Sequence, residues 1–170
     1  MDVSFRVSSV FLRGSHLLLI LCVALAGCSS KPPYEGKSVA QLRRMLHNPD
    51  PKVQVQGAFG LSQLGPKSKE ATPELIEALK SGDALVRQTA AQALGKIGPE
   101  ADEAVPALKE VLRDPEWAVR RQAAIALGEI GTSAQPALGE LEKLKKDPHQ
   151  RVADAAREAV KKIRTPGGSS

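Results

Sequence analysis

The residues of this 170-residue chain that could carry out chemistry are few and far apart. Nucleophilic catalysis needs a serine or cysteine within reach of a histidine and an acid. Neither Cys22 nor Cys28 has both at a suggestive spacing, and the serines cluster near the N-terminus and in loops. The histidines His16, His47 and His149 are too scattered to form a metal site with the cysteines. A glycine-rich phosphate loop is also missing. We expect no catalytic residue, no metal and no cofactor.

Cys28 follows a segment with the pattern of an export signal. Two arginines precede an apolar stretch at residues 17–25, which is shorter than the ~20 residues needed to span a bilayer. The motif Leu-Ala-Gly-Cys at 25–28 resembles the lipobox of bacterial lipoproteins, in which the cysteine is lipidated and becomes the mature N-terminus. The resemblance implies a signal peptide at residues 1–27 and a lipid on Cys28. An ordinary secretory signal with an incidental cysteine and a transmembrane anchor are the alternatives.

The lipobox resemblance also implies a location. Several acyl chains give a stable membrane anchor, where a single chain binds only marginally. Ser29 at the position after the cysteine implies the periplasmic face of the outer membrane of the bacterial cell envelope, if the organism is Gram-negative. Residues 28–37 are rich in Pro, Ser and Lys and are predicted to form a short extended tether.

The composition of the chain favours packed helices. Aromatic residues make up only 3% and hydrophobic residues 42%, which argues against a β-sandwich and against a disordered tail. The formal charge is a mild +5, and its basic residues are interleaved with acids. Nucleic-acid binding is therefore only a weak alternative, and we expect no nucleic-acid partner.

The rest of the chain repeats itself with a period of about 33 residues, within the range typical of repeat arrays. Apolar rungs keep this spacing: Val53, Val86, Val119, Val152; Leu64, Ile97, Ile130, Ile163. The period defines a repeat domain at 38–164, with units at about 48–80, 81–113, 114–146 and 147–164. Residues 165–170 follow the last unit and are predicted to form a disordered tail.

Each unit is predicted to be a pair of helices. In the second unit the first helix begins after the N-cap Asp83 and ends at Gly98, and the second helix covers roughly 102–113. Thr72 is the predicted N-cap of the second helix in the first unit. Pro136 indicates an earlier start for the second helix of the third unit. Ahead of the array, the capping-box pattern at 38–41 predicts a short helix.

The repeated strings resemble a known family. The patterns Asp-x-x-Val-Arg at 83–87 and Ala-Ala-x-Ala-Leu-Gly-x-Ile-Gly at 90–98, with their counterparts at 119–131, are similar to HEAT repeats of the short subtype first noted in phycobilisome lyases. The resemblance implies an all-α, right-handed α-solenoid of about 3.5 repeats, with second helices lining the concave side. It also implies a protein-binding scaffold, because only a minority of the family are enzymes.

Two sets of residues are candidates for function. The exposed face of the second helices carries a mildly acidic stripe, which is either a protein-binding surface or a solvated face: Glu74, Glu77, Glu110, Glu140, Lys143. Trp117, the only tryptophan, is either a binding hot spot or a plug against the preceding loop. The pairs Asp83–Arg87 and Glu116–Arg120 are interpreted as structural, through helix capping and i,i+4 or inter-repeat ion pairs.

These patterns predict a membrane-anchored, protein-binding scaffold that is not an enzyme. Its partner is an unidentified protein, apart from which the chain is expected to be a monomer. The alternative is a small lyase-like or cofactor-handling enzyme of the HEAT-like family.

Overall fold

The computed structural model describes residues 32–165, which form helices and turns and no strand. Three 3₁₀-helical segments, Gly65–Ala71, Gly98–Ala104 and Gly131–Ala137, connect paired helices. The α-helices of this part of the chain are α1 (Val39–Leu46), α2 (Pro51–Leu64), α3 (Thr72–Ala78), α4 (Ala84–Ile97), α5 (Val105–Val111), α6 (Trp117–Ile130), α7 (Leu138–Leu144) and α8 (Gln150–Arg164).

The helices repeat with the predicted period. The first helices of the units, α2, α4, α6 and α8, begin at the equivalent positions 51, 84, 117 and 150, and the second helices α3, α5 and α7 begin at 72, 105 and 138. This architecture confirms the α-solenoid of about 3.5 helical-hairpin repeats. Helix α1 begins one full period before α3, so it takes the place of the second helix of a preceding half unit. The 3.5 repeats are therefore α2–α8, and the single helix α1 precedes them.

The N-terminus of α1 has the predicted capping box. The Ser38 hydroxyl accepts a hydrogen bond from the backbone N–H of Gln41 at 3.3 Å, and the Ser38 N–H donates to the Gln41 side chain at 2.8 Å. Two N–H groups that the helix cannot satisfy itself are paired in this way.

The first helices stack in a row, with α4 against α2, α6 against α4 and α8 against α6. Most of their apolar rungs are buried, as at Leu61, Leu94 and Leu127, which are 0% exposed, while Val53 and Leu64 of the first unit are half-buried. The helices approach closely at small residues: a Cβ placed on Gly95 would lie only 3.0 Å from the Cα of Ala126. Because each unit buries its apolar face on its neighbours, the stack as a whole is the folding unit.

The predicted ends of the first helix of the second unit are confirmed. The Asp83 carboxylate accepts hydrogen bonds from the N–H groups of Leu85 and Val86 at 2.8 and 3.1 Å. Gly98 ends α4 with a φ of +75°, a backbone conformation that favours glycine. The chain can therefore turn sharply into the connecting segment.

The predicted starts of the second helices need correction. Helix α5 begins at Val105 and not near residue 102, because a 3₁₀ segment precedes it. Thr72 is the first residue of α3 and not its N-cap, since its hydroxyl donates to the Lys69 carbonyl at 2.7 Å. Pro136 lies inside the third 3₁₀ segment, and α7 begins at Leu138 in the same register as α3 and α5. The predicted earlier start is wrong because this connection is helical in the same way as the other two.

The last residues of the predicted tether are docked on the array. Residues 33–36 form a turn, and the ring of Tyr34 packs edge-on against Phe59 with ring centroids 5.1 Å apart. Cys28, the predicted signal peptide and residues 166–170 of the predicted tail lie outside the described residues. No helix within residues 32–165 is long and apolar enough to cross a membrane.

Candidate binding surface

The arginines of the repeated motif hold neighbouring units together. Arg87 donates to both carboxylate oxygens of Asp114, with Nε–Oδ2 and Nη2–Oδ1 distances of 2.7 and 3.0 Å. Arg120 makes the same pair with Asp147 at 2.8 and 3.1 Å. The inter-repeat interpretation is confirmed and the i,i+4 one is wrong, because each arginine bonds to the next unit and not to Asp83 or to its counterpart at position 116.

Each of these arginines also fixes a turn of the backbone. Arg87 donates a further bond to the Ser81 carbonyl at 2.8 Å, and Arg120 donates the equivalent bond to the Asp114 carbonyl at 2.8 Å. One guanidinium thus ties together the loop before its own helix and the loop before the next one. We refer to Arg87–Asp114 and Arg120–Asp147 as the inter-repeat ion pairs.

The pKa values of the two aspartates in these pairs depend on both burial and hydrogen bonding. Burial on its own would raise the pKa of the Asp114 carboxyl, but hydrogen bonds from Arg87 and from the Glu116 N–H outweigh it and hold the pKa below its usual value. The same opposition lowers the pKa of Asp147, whose carboxylate accepts from Arg120 and the His149 N–H. Both groups are therefore more acidic in the folded chain than in an unfolded one.

The predicted acidic stripe divides into paired and unpaired carboxylates. Glu74 accepts from Arg43 on α1, with an Nε–Oε1 distance of 2.9 Å. Glu140 accepts from Arg113 at 3.1 Å and from Lys143 at 3.2 Å. Their charges are largely compensated.

The remaining two carboxylates of the stripe are exposed. Within the part of the chain that the structure describes, Glu77 and Glu110 form neither a salt bridge nor a side-chain hydrogen bond. The free negative charge of the second-helix surface is therefore at positions 77 and 110.

The ion pairs of the stripe lower two further pKa values. For Glu74, burial raises the pKa of the carboxyl, but the Arg43 guanidinium outweighs this and the net shift is downward. For Glu140, the hydrogen bond from Lys143 is the largest cause of a lowered pKa, and Arg113 adds to it.

Trp117 packs against the following unit. Its ring lies parallel to the imidazole of His149, with centroids 3.9 Å apart and an interplanar angle of 3°, and the guanidinium of Arg151 lies 5.9 Å from its centroid. The predicted plug against the preceding loop is therefore wrong in direction. The indole, at the first position of α6, lies against His149, the N-cap residue of α8, and near Arg151 in the first turn of that helix.

Two clefts open on the second-helix surface. The first cleft, between α1 and α3, has a volume of about 470 Å³. The second cleft, between α3 and α5, has a volume of about 260 Å³. The first is lined by Leu46, His47, Gln54, Glu74, Glu77, Ala78, Lys80 and Ser81, and the second by Leu79, Lys80, Ala107, Glu110, Val111, Arg113 and Asp114.

The two clefts are equivalent by the repeat period. Seven of the eight positions that line the first cleft have their counterpart, one period later, among the seven that line the second. The remaining position is Gln54, whose counterpart Arg87 is engaged in an inter-repeat ion pair. The surface is therefore a row of repeated clefts with a specialised first member.

The stripe residues Glu74, Glu77 and Glu110 were predicted from the sequence, and the structure places them in these clefts. Glu140 and Lys143 lie further along the same row of second helices, and Trp117 is on a first helix. Sequence reasoning missed His47, Gln54 and Ser81 as cleft residues. Extending the period one half unit towards the N-terminus would have placed α1 beside α3 and brought His47 into the row.

Among residues 32–165, no group of three or more potential ligand side chains could hold a metal ion.

The sequence profile described as HEAT repeats matches residues 39–114 and 98–161, which together cover nearly all of the helical array. The chain belongs to the HEAT-repeat family. It is a helical-repeat scaffold of a kind suited to binding proteins. Comparison with curated protein sequences gives no match.

Two solved structures are similar to this chain. An engineered protein is 28% identical with a TM-score of 0.65, covering 74% of this chain and 63% of its own. Human deoxyhypusine hydroxylase in complex with glycerol is 33% identical with a TM-score of 0.60, covering 78% of this chain and 45% of its own. This chain thus spans less than two thirds of either protein.

A third structure shares the fold alone. The complex of CpcE and CpcF of phycocyanin lyase from Nostoc sp. is 23% identical with a TM-score of 0.57, covering 79% of this chain and 69% of the other.

Proposed function

We propose that this HEAT-repeat chain is a lipid-anchored scaffold that binds a partner protein on its second-helix surface. The observation that carries the proposal is the row of repeated clefts flanked by the uncompensated carboxylates of Glu77 and Glu110. Protein interfaces are built around pockets that accept individual side chains of the partner. Two equivalent clefts at consecutive junctions offer such pockets in series.

The anchor is proposed from the sequence. The lipobox-like motif at 25–28 makes Cys28 the attachment point of acyl chains, with the array following after a short connection. The proposed location is the bacterial cell envelope, at the periplasmic face of the outer membrane in a Gram-negative cell. There the anchor would hold the second-helix surface close to other envelope proteins.

A scaffold is favoured over an enzyme for a chemical reason. The most buried ion pairs of the described chain, Arg87–Asp114 and Arg120–Asp147, join neighbouring units. The sequence offers no nucleophile with a base and an acid at a suitable spacing. The similarity to phycocyanin lyase concerns the fold alone, so the lyase-like alternative has no residue to support it.

In-cell photo-crosslinking tests the proposal. A crosslinking amino acid is placed at position 77 or 110 on the second helices, or at Trp117, and control positions are Lys96 and Arg121, both exposed on first helices. We expect one discrete protein adduct from 77 and 110, a weaker one from 117, where the ring is stacked on His149, and none from 96 or 121. The scaffold is refuted if no adduct forms at 77 or 110, or if the controls give the same adducts.

A further inference from the structure

The first cleft lies where the array lacks an inter-repeat ion pair. At the two later junctions an arginine of one unit meets an aspartate of the next, at 87–114 and 120–147. At the first junction the corresponding residues are Gln54 and Ser81. These shorter, uncharged side chains do not meet, and both line the first cleft.

The backbone at this junction is nevertheless the same as at the others. The Gln54 amide nitrogen donates to the Asn48 carbonyl at 2.7 Å, as Arg87 donates to the Ser81 carbonyl. The Ser81 hydroxyl accepts from the Asp83 N–H at 3.3 Å, as Asp114 accepts from the Glu116 N–H. Only the charged ends of the ion pair are missing, and the first cleft is the larger of the two, with about 470 against 260 Å³.

The acceptor groups inside the first cleft suit a cation. Glu74 and Glu77 place two carboxylates at the α3 side. Although Oε1 of Glu74 accepts from Arg43, its Oε2 is buried and has no hydrogen-bond partner in the described chain. The Gln54 amide uses its nitrogen internally, which leaves its oxygen as a further acceptor.

Two basic side chains also line the first cleft. Lys80 is an exposed side chain shared with the second cleft, and His47 lies at the end of α1. In the second cleft Ala107 takes the position of Glu74. Of the two clefts, therefore, only the first has a pair of glutamates.

We propose that the first cleft is a specificity pocket that receives an arginine side chain of the partner protein. This inference rests on the proposed function, and it specifies which side chain of the partner protein contacts the first cleft. The guanidinium enters the space that Arg87 and Asp114 fill at the next junction. Its N–H groups donate to the exposed Glu77 carboxylate and to the Gln54 oxygen, beside the buried Oε2 of the Glu74 carboxylate. A flat fork of five donors suits such a set of acceptors better than an ammonium does, and charge-assisted hydrogen bonds are the stronger kind.

A matched pair of probes tests the chemistry of the pocket. The full chain is titrated with N-acetyl-arginine amide and with N-acetyl-citrulline amide, which has nearly the same shape but no charge, and amide NMR shifts are followed at Glu77 and Ser81. We expect saturable shifts with the arginine probe in the millimolar range, and binding of the citrulline probe about tenfold weaker, as for loss of a charge-assisted contact. Equal binding of the two probes, or no shift with either, overturns the proposal.

A variant that fills the pocket separates binding from folding. Gln54→Arg combined with Ser81→Asp installs the missing inter-repeat ion pair on a backbone that already has the required hydrogen bonds. We expect this variant to unfold at a higher temperature and to bind the arginine probe about tenfold less tightly. Unchanged probe binding in the folded variant overturns the proposal.

Two single variants complete the design. Glu77→Gln removes an exposed carboxylate that has no ion-pair partner in the described chain, and it should weaken the arginine probe about threefold. Glu140→Gln, a stripe residue outside the two clefts, should leave probe binding unchanged. If the double variant fails to fold, the comparison of Glu77→Gln with Glu140→Gln decides, and equal effects of the two overturn the proposal.

Partner capture distinguishes this inference from the scaffold itself. A crosslink from Glu110 that persists at full yield in the double variant overturns the arginine pocket and leaves the scaffold standing. If no partner is crosslinked at all, the scaffold proposal and the arginine-pocket proposal are both overturned, regardless of how the arginine and citrulline probes bind.

Discussion

The guanidinium of Arg87 bonds to both carboxylate oxygens of Asp114, 27 residues further along the chain, at 2.7 and 3.0 Å. The side chains are 13% and 7% exposed, and Arg120 repeats the arrangement with Asp147. Each pair joins two consecutive units, which a contact within one helix could not do. These pairs, together with the apolar rungs, set the stability of the array.

Removing one member of an inter-repeat ion pair should destabilise the array. Arg87→Ala leaves the mostly buried Asp114 carboxylate without its main donor, and we expect a loss of about 2–3 kcal/mol in the free energy of unfolding. Urea denaturation measures it. Arg157→Ala is the control, because its pair with Asp154 is exposed and lies within one helix. The control should lose less than about 0.5 kcal/mol, and an equal loss in both variants would contradict the structure.

The array should lose stability in acid through the same aspartates. The folded pKa values of Asp114 and Asp147 are lowered, so these groups contribute stability that is fully present above the unfolded pKa of about 3.9. This contribution falls as the pH drops through the lower folded values. Urea denaturation between pH 7 and pH 3 should show a plateau above about pH 5 and a decline below it.

The double variant Asp114→Asn with Asp147→Asn checks the assignment of this decline. It should be less stable than the parent at pH 7 and should lose less on acidification, because its amides do not titrate. A decline as steep as that of the parent would mean that other carboxyls cause it.

Gly95 should be required for the approach of α4 to α6. In Gly95→Ala the new Cβ would lie 3.0 Å from the Cα of Ala126, whose helix is held between α4 and α8. We expect a net loss of about 1 kcal/mol, because the strain exceeds the gain in helix propensity. Thermal unfolding measures it.

Gly139→Ala is the matched control for that change. Gly139 is in α7 and has nothing within 4 Å of an added Cβ, so this substitution should stabilise by about 0.5 kcal/mol. Effects of the same sign at both positions would contradict the close packing of α4 and α6.

Cys28→Ala should abolish acylation. If the lipid on Cys28 is the anchor, the variant takes up no labelled fatty acid and moves from the membrane to the soluble fraction. Cys22→Ala, inside the predicted signal peptide, is the control and should leave labelling intact. Unchanged membrane association of the Cys28 variant would refute the anchor.

The fluorescence of Trp117 should report on the junction between α6 and α8. His149→Ala removes the ring stacked on the indole and exposes that face to water, so the emission maximum should shift to longer wavelength. Because Trp117 is the only tryptophan, the signal is unambiguous. His47→Ala, at the first cleft, should leave the emission unchanged, and a shift there would contradict the stacking.

Much of the fold could be predicted from the sequence because its determinants are local and periodic. Asp83 and Gly98 mark the ends of a helix through their own backbone preferences, and the rungs at the repeat spacing identify the buried face of each unit. The period also places Glu77 and Glu110 at equivalent positions of successive second helices. The helical hairpin, the stack and the stripe follow from these features alone.

The contacts between units were decided by the tertiary structure. Whether Arg87 bonds within its own helix or to Asp114, and whether Trp117 turns towards the preceding loop or towards His149, depends on how far neighbouring helices are offset and rotated. A repeat period fixes which residues are equivalent, but it does not fix that offset, which comes from the fit of small and large side chains between helices. The same holds for the first cleft, because the sequence shows Gln54 and Ser81 at the first junction but not how far apart the flanking helices lie.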